Sequence, residues 1–293
     1  MFVHLRLHSE FSVVDGTTRI DDAVSAAAAD QQPALALTDY NNLFGAVKFY
    51  KAARGAGVKP VLGAEVALQG LGPEPAPGAS TVQPVLPKVL LLVQSHQGYL
   101  NLCELLARAW TQNVVRDQAV LRWSWVQELH QGLLLLSGAA AGPVGQALLA
   151  EDHDKAADTA LAMAGVFPHR FYMEVQRAGR PDDERHTNAA VPLAARLGLP
   201  VVATHPVQFL APDDYEAHEA RVCIAEGEIL GNNRRVRKFT RDQYFKSQVE
   251  MAALFADVPS ALANSVEIAR RCNLSLTLGK PQLPHFPIPP VNG

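Results

Sequence analysis

Polar and charged side chains recur at the ends of short apolar segments, where they could bind a metal or share protons. His4, Arg6 and His8 alternate along the first such segment, and Asp39 follows the second. Histidine nitrogens and carboxylate oxygens are common ligands of divalent metals. The set therefore indicates a polar pocket of the kind that holds, or once held, metal. Its members are His4, Arg6, His8, Asp15, Asp39, Tyr40, Glu65, Lys88, Ser137, Glu174 and His205.

Some of these residues also have an ordinary structural interpretation. Alternation of His4, Arg6 and His8 is typical of a strand edge that faces solvent, because every second side chain of a strand lies on one face. Asp39 is equally suited to cap the helix whose first turn follows Asn42. Both interpretations stay open at the level of sequence.

The elements that must position these residues alternate between strand and helix. Strands are predicted at 2–7, 33–38, 58–68, 88–94, 132–137, 171–176 and 199–204. Helices are predicted at 20–30, 43–56, 99–111, from Pro143, 154–166, 182–197, 247–257 and 259–273. This alternation predicts an α/β fold with a parallel sheet and outer helices. No glycine-rich phosphate-binding motif follows a strand, so we predict a barrel, whose strand ends form one polar mouth.

The composition is that of a globular chain with one large core. Hydrophobic residues make up 48% and charged residues 19% of the 293 residues. The net charge of −3 argues against a chain that coats nucleic acid, and no stretch is apolar enough to predict a membrane helix. The three cysteines, Cys103, Cys223 and Cys272, are far apart, which predicts free thiols in a reducing cytoplasm.

Two segments are rich in proline and glycine. Residues 69–87 are predicted to form a surface loop inside one domain that spans residues 1–275. Residues 276–293 are predicted to be a linker that is cut short, which indicates a fragment of a longer protein.

The densest run of positive charge lies near the end of this domain. It contains Arg234, Arg235, Arg237 and Lys238, which we call the basic run, and Arg241 follows. Such a cluster could contact a DNA backbone. It is also typical of a solvated loop that precedes a helix.

Three stretches together resemble a known family. HLRLHSEFSVVDG (4–16), ALALTDYNNLFGAVKFY (34–50) and GVKPVLGAEV (57–66) are similar to the polymerase and histidinol phosphatase (PHP) domain at the start of bacterial DNA polymerase III alpha subunits. The resemblance continues to LANSVEIARRCNL (262–274). It implies a distorted (β/α)7 barrel of the PHP type with a short helical C-terminal extension.

Compared with active PHP domains, the resemblance implies that most metal ligands are lost here. The ligand types are kept at His8, Asp15 and Glu65. They are replaced at Arg6, Tyr40, Lys88, Ala139, Pro206 and Gln208. His205 is the one candidate for a replacement ligand. The expectation is a domain without metal cofactor or catalytic residues.

The replacements predict a charge cluster at the former site. It would contain Arg6, Asp39, Glu65, Lys88 and Glu174. Without a cation, grouped carboxylates repel one another and take up protons. We therefore expect Arg6 to stand in for a metal and to pair with Glu65, and Tyr40 to fill vacated space.

For function, the resemblance implies structural support within a replicative DNA polymerase. The expected partners are the polymerase domains of the parent chain and the proofreading exonuclease (epsilon) subunit. DNA contact would be weak or indirect, and no membrane is involved. The parent chain would be a DNA-directed DNA polymerase. The alternatives are a metal-dependent phosphoesterase or pyrophosphatase and, third, a module that contacts DNA.

Overall fold

The computed structural model describes residues 1–71, 85–232, 234–281 and 283, so most of the predicted loop 69–87 and the end of the predicted linker 276–293 lie outside the described residues. Helices and strands alternate as predicted. In chain order they are α1 (Ile20–Ala29), β1 (Ala34–Leu37), α2 (Ala46–Gly55), β2 (Lys59–Gln69), β3 (Lys88–Val93), α3 (His96–Gln112), β4 (Val114–Val115), β5 (Gln118–Arg122), α4 (Trp123–Leu129), β6 (Leu133–Leu136), α5 (Pro143–Leu149), α6 (His153–Val166), β7 (Phe171–Gln176), α7 (Asp183–Leu197), β8 (Val201–Thr204), α8 (Tyr215–Glu226), α9 (Gln248–Leu254) and α10 (Pro259–Arg271).

The strands form one mixed, mostly parallel sheet, which confirms the predicted α/β class. Its order is β4-β5-β2-β3-β6-β7-β8, and β1 pairs with β2. The pairs β1–β2, β2–β5, β6–β7 and β7–β8 are parallel. Strand β3 runs antiparallel to β2 and β6. Its first residue, Lys88, therefore pairs with Ala67 near the carboxyl end of β2, at the mouth edge of the sheet.

The predicted first strand, 2–7, does not form a regular strand. Side chains take up its backbone N–H groups: those of Phe2 and Val3 donate to Gln248 Oε1 and Ser265 Oγ, both at 3.1 Å. The segment still lies between β1 and the residues after β8, because Ala36 N donates to His4 O and His8 N to Val207 O. The segment thus takes the place of a strand between β1 and the residues after β8. It is held there by isolated hydrogen bonds and not by the regular pairing of a sheet.

Apolar residues pack on both sides of the sheet. The inner cluster joins alternate strand residues, such as Val61, Leu90, Leu134 and Val202, to Ile268 of α10. The outer cluster joins the opposite strand faces to the surrounding helices. Because side chains alternate along a strand, inward positions continue from apolar residues at one end to polar ones at the other. That polar end forms the mouth.

The sequence pattern missed a hairpin and two helices, α4 and α8. Strands β4 and β5 are joined by Arg116 and Asp117, whose φ angles of 51° and 60° are those of a tight type I′ turn. Trp123 begins α4 and is buried. In the described residues, no helix is long and apolar enough to span a bilayer.

Candidate functional site

Glu65 lies at the centre of a group of ion pairs at the mouth. Arg6 Nη1 donates to its Oε2, and His8 Nε2 lies 3.4 Å from the same oxygen. Lys88 Nζ lies 3.1 Å from Oε1. The Glu65 side chain is only 9% exposed, so three cations meet one buried carboxylate.

Glu174 on β7 is the second carboxylate that Arg6 holds. Arg6 Nε and Nη2 donate to its two oxygens at 2.5 and 3.1 Å, a bidentate pair. Arg6 thus bridges Glu65 and Glu174, and the predicted Arg6–Glu65 pair is present. The remaining donors to Glu174 are Gly138 N (3.0 Å), Gln176 Nε2 (3.0 Å) and Thr204 Oγ1.

His8 connects the same group to Asp15. Its Nδ1 lies 3.0 Å from Asp15 Oδ1, which also accepts from Ser12 Oγ at 2.7 Å. Burial lowers the pKa of His8, but the charges and hydrogen bonds of Asp15 and Glu65 outweigh it and raise the pKa to about 10. His8 is therefore a cation near neutral pH.

The group is electrically balanced. Burial raises the pKa of Glu65, yet the charges of Lys88 and Arg6 hold it well below its ordinary value. The same attraction outweighs burial at Lys88 and raises its pKa. Three cations therefore offset three carboxylates at the mouth, where Lys88 is the most exposed of the cations at 33%. We call these residues the mouth cluster; they are Arg6, His8, Lys88, Asp15, Glu65 and Glu174.

Asp39 and Tyr40 lie beside the mouth cluster in different ways. Asp39 accepts from Ser9 N at 2.6 Å and from Ser9 Oγ at 2.9 Å, and burial raises its pKa. It does not cap α2, whose N-terminal cap is Gly45, so that interpretation was wrong. Tyr40 packs its ring 4.1 Å from Lys88 Nζ, a cation–π contact.

Of the other replaced positions, Gln208 also reaches the cluster: its Nε2 lies 3.3 Å from His8 Nδ1. Ala139 and Pro206 are buried. His4 turns away and bonds Lys246 O at 2.7 Å, so the solvent-edge interpretation of this segment was wrong. His205 packs beside His4, and its ring nitrogens have no partner among the described residues.

The mouth cluster does not fit a metal. Both nitrogens of His8 already face carboxylates, and both oxygens of Glu65 face cations. A guanidinium has no lone pair to offer a cation. Across the described ranges, no three His, Cys, Asp or Glu side chains are grouped as a metal would require.

Three residues that donate hydrogen bonds to carboxylates of the mouth cluster were not predicted from the sequence. Gln176 lies two residues after Glu174, so the period of a strand could have indicated it. Thr204 is the last residue of β8, so its place at the end of a strand could have indicated it as a residue of the mouth. Ser12 supports Asp15 from an irregular turn, for which no periodic signal exists.

The basic run is largely engaged by acidic residues of α8. Arg235 contacts Glu219, with both side chains at most 4% exposed. Lys238 Nζ lies 2.6 Å from Glu226 Oε1, and Arg237 Nε 3.9 Å from Glu219 Oε2. The Arg235 charge is thus taken up inside the fold instead of being presented to a DNA backbone.

Comparison with known proteins identifies the family. A family model described as the PHP domain matches residues 4–178, more than half of the chain. The chain belongs to the PHP domain family. It is 46% identical over 288 residues to DNA polymerase III subunit alpha of Pseudomonas aeruginosa and 47% identical over 293 residues to that of Neisseria meningitidis serogroup B.

These relatives are much longer than the chain. The matches cover 98% of this chain but 24% and 25% of the relatives, so it spans about a quarter of their length. Among solved structures, an amidohydrolase from Chromobacterium violaceum is similar over 75% of this chain and 97% of its own, with 14% identity and a TM-score of 0.48. That likeness is too distant to assign an activity.

Proposed function

We propose that this PHP domain is catalytically silent and that ion pairs replace the metals of its active relatives. Its role is structural support of a replicative DNA polymerase in the cytoplasm and docking of the proofreading exonuclease (epsilon) subunit. The observation that carries the proposal is Arg6, which bridges Glu65 and Glu174 from within the barrel.

Electrostatics explains why the substitution keeps the fold. Asp15, Glu65 and Glu174 would repel one another if they were buried without cations. A metal ion would have to bind from solution to offset that repulsion. Arg6 and Lys88 are part of the chain and offset it through ion pairs. The domain then keeps its barrel without depending on metal supply.

The polymerase role rests on the relatives. Nearly all of this chain aligns with DNA polymerase III alpha subunits, and it accounts for about a quarter of their length. We propose that the parent polypeptide is a DNA-directed DNA polymerase and that its catalytic residues lie outside this domain. The exonuclease enters as the partner that the family resemblance implies.

A metal-dependent phosphoesterase is the second candidate. It is favoured by His8, Asp15 and Glu65, which keep ligand types and lie together. Arg6 and Lys88 weigh against it, because they occupy the oxygens that a metal would use.

Metal content and hydrolysis separate the two functions. The chain would be purified without chelator, soaked in zinc or manganese, dialysed and analysed for metal. We expect near-zero metal per chain and no hydrolysis of a phosphomonoester. One or more retained ions together with hydrolysis above the blank would overturn the silent-domain proposal.

A further inference from the structure

A groove lined by aromatic residues opens between α2 and α3, beside the mouth. Two adjoining cavities, of about 540 and 290 Å³, share Phe44, which precedes α2, and Trp110, near the end of α3. Tyr40 lines the larger cavity and Cys103 the smaller one. Phe44 is 69% and Trp110 47% exposed, and exposed apolar surface of this kind marks an interaction site. We call the surface formed by Tyr40, Phe44, Cys103 and Trp110 the α2–α3 groove.

Hydrogen bonds hold two aromatic walls of the groove in place. Trp110 Nε1 donates to Asn41 O at 2.8 Å. Phe44 N donates to Asn42 Oδ1 at 3.0 Å. Asn41 adopts a φ of 56°, a left-handed conformation that asparagine tolerates. The walls are thus preorganised, which lowers the entropy lost on binding.

The end of the described chain passes between the two helices that form this groove. Asn273 N donates to Gln94 O at 2.8 Å, directly before Ser95, the N-terminal cap of α3. Leu276 N then donates to Tyr50 Oη of α2 at 3.3 Å. The chain therefore leaves the barrel at the start of α3, and the aromatic walls lie towards the end of the same helix.

The residues that follow are long enough to reach the aromatic walls. Along α3, Ser95 and Trp110 are about 22 Å apart, at about 1.5 Å per residue. From Leu276 to Phe286 the chain would span about 31 Å in the polyproline II conformation, at about 3.1 Å per residue. A segment tethered at this distance has an effective concentration on the order of 1 mM at the groove, which favours it over a free competitor.

The sequence of residues 284–290 matches the chemistry of the groove. It reads PHFPIPP and contains the P-x-x-P pattern twice. Such segments form a polyproline II helix readily and dock on grooves lined by aromatic residues. Residues 284–290 contain no Lys, Arg, Asp or Glu, and among the described lining residues the charged one is Asp117. Nucleic acid fits less well, because its phosphates need cations.

We propose that residues 284–290 of this chain bind in the α2–α3 groove as a polyproline II segment. Phe286 packs against Phe44 and Trp110, and the segment covers Cys103. The contact lies within one polypeptide and does not depend on the function proposed above. It fixes the point, beside the mouth, from which the rest of the parent polypeptide continues.

Alkylation of Cys103 by N-ethylmaleimide reports whether the groove is covered. The full-length polypeptide that contains this chain is treated, and mass spectrometry follows the peptide that carries Cys103. Phe286→Ser should raise the alkylation rate at least fivefold over wild type, because the segment loses its aromatic anchor. An excess of a synthetic peptide of residues 281–293 should restore the protection. Leu161→Ser, at a 49% exposed position on α6, is the matched control and should leave the rate unchanged.

A cross-link tests the contact directly and keeps Phe286 in place. In Ile288→Cys, a bismaleimide with a short spacer should join position 288 to Cys103 within one polypeptide. A cross-link that joins two polypeptides would assign the groove to a second copy and would overturn the proposal. Absence of any cross-link, or equal alkylation of Cys103 in wild type and Phe286→Ser, would overturn it as well.

Discussion

The mouth cluster and the basic run use the same chemistry at different depths. In the mouth cluster, side chains of Arg6, Glu65 and Glu174 are at most 9% exposed. In the basic run, Arg237 and Lys238 are 55% and 65% exposed, although they also pair with carboxylates. Buried pairs are expensive to break because the charge left behind cannot be solvated, whereas exposed pairs are screened by water and salt. Depth, not charge count, should therefore set their contribution to stability.

The largest effect is expected from Arg6→Ala. It leaves Glu65 and Glu174 buried without their shared cation, which should lower the free energy of unfolding by about 3–5 kcal/mol. Urea unfolding at pH 7 measures the loss. Part of it should be recovered near pH 5, because unpaired carboxylates take up protons more readily. Lys48→Ala, which removes an exposed pair with Glu10, is the control with no measurable loss; equal effects would contradict the contrast.

A pH effect is expected from His8. A histidine whose pKa rises from 6.5 to about 10 on folding stabilises fully below pH 6.5, and this contribution disappears as pH rises through 10. The free energy of unfolding of the wild type should therefore fall by about 3 kcal/mol between pH 7 and pH 9.5. His8→Asn should flatten that loss in urea unfolding, and exposed His169→Asn should not. A similar decline in both variants would refute a charged His8.

An intermediate effect is expected from Arg235→Ala. The Arg235 and Glu219 side chains are as buried as those of the mouth cluster, but Arg235→Ala leaves one carboxylate without its main cation where Arg6→Ala leaves two. Removing the guanidinium should cost about 2–3 kcal/mol. The double variant with Glu219→Gln should regain part of it in urea unfolding. A loss below about 0.5 kcal/mol, like that of an exposed pair, would contradict the role of depth.

The smallest effect is expected from Lys238→Ala. Lys238 is a surface partner of Glu226, so its loss should cost less than about 0.5 kcal/mol. The difference from wild type should disappear in 0.5 M salt, because screening weakens exposed pairs. A loss of unfolding free energy that does not depend on salt would show that the Lys238–Glu226 pair behaves like a buried pair.

Sequence patterns predicted the regular part of this fold well. Strands β2, β3 and β7 and most helices lie close to their predicted places. The spacing of apolar residues shows which side chains of a regular helix or strand are buried. The first segment was mispredicted, since side chains such as Gln248 and Ser265 replace its ladder partners. Such long-range bonds leave no local pattern.

The sequence predicted which residues form the site better than it predicted the hydrogen bonds and ion pairs between them. Strand ends pointed to Glu65, Lys88 and Glu174, and the ion pair of Arg6 with Glu65 followed from charge repulsion. The bidentate bond to Glu174 and the turn of His4 away from the mouth depend on packing against β7 and the C-terminal helices. Sequence spacing alone does not encode these.

The most direct test of the central claim compares zinc dependence of unfolding in wild type and Arg6→His. The variant removes the internal cation and restores a histidine beside His8, Glu65 and Glu174. We predict that zinc raises the unfolding midpoint of Arg6→His and leaves that of wild type unchanged, as binding to the folded state requires. An equal zinc-dependent rise in wild type would contradict the claim that Arg6 takes the place of a metal.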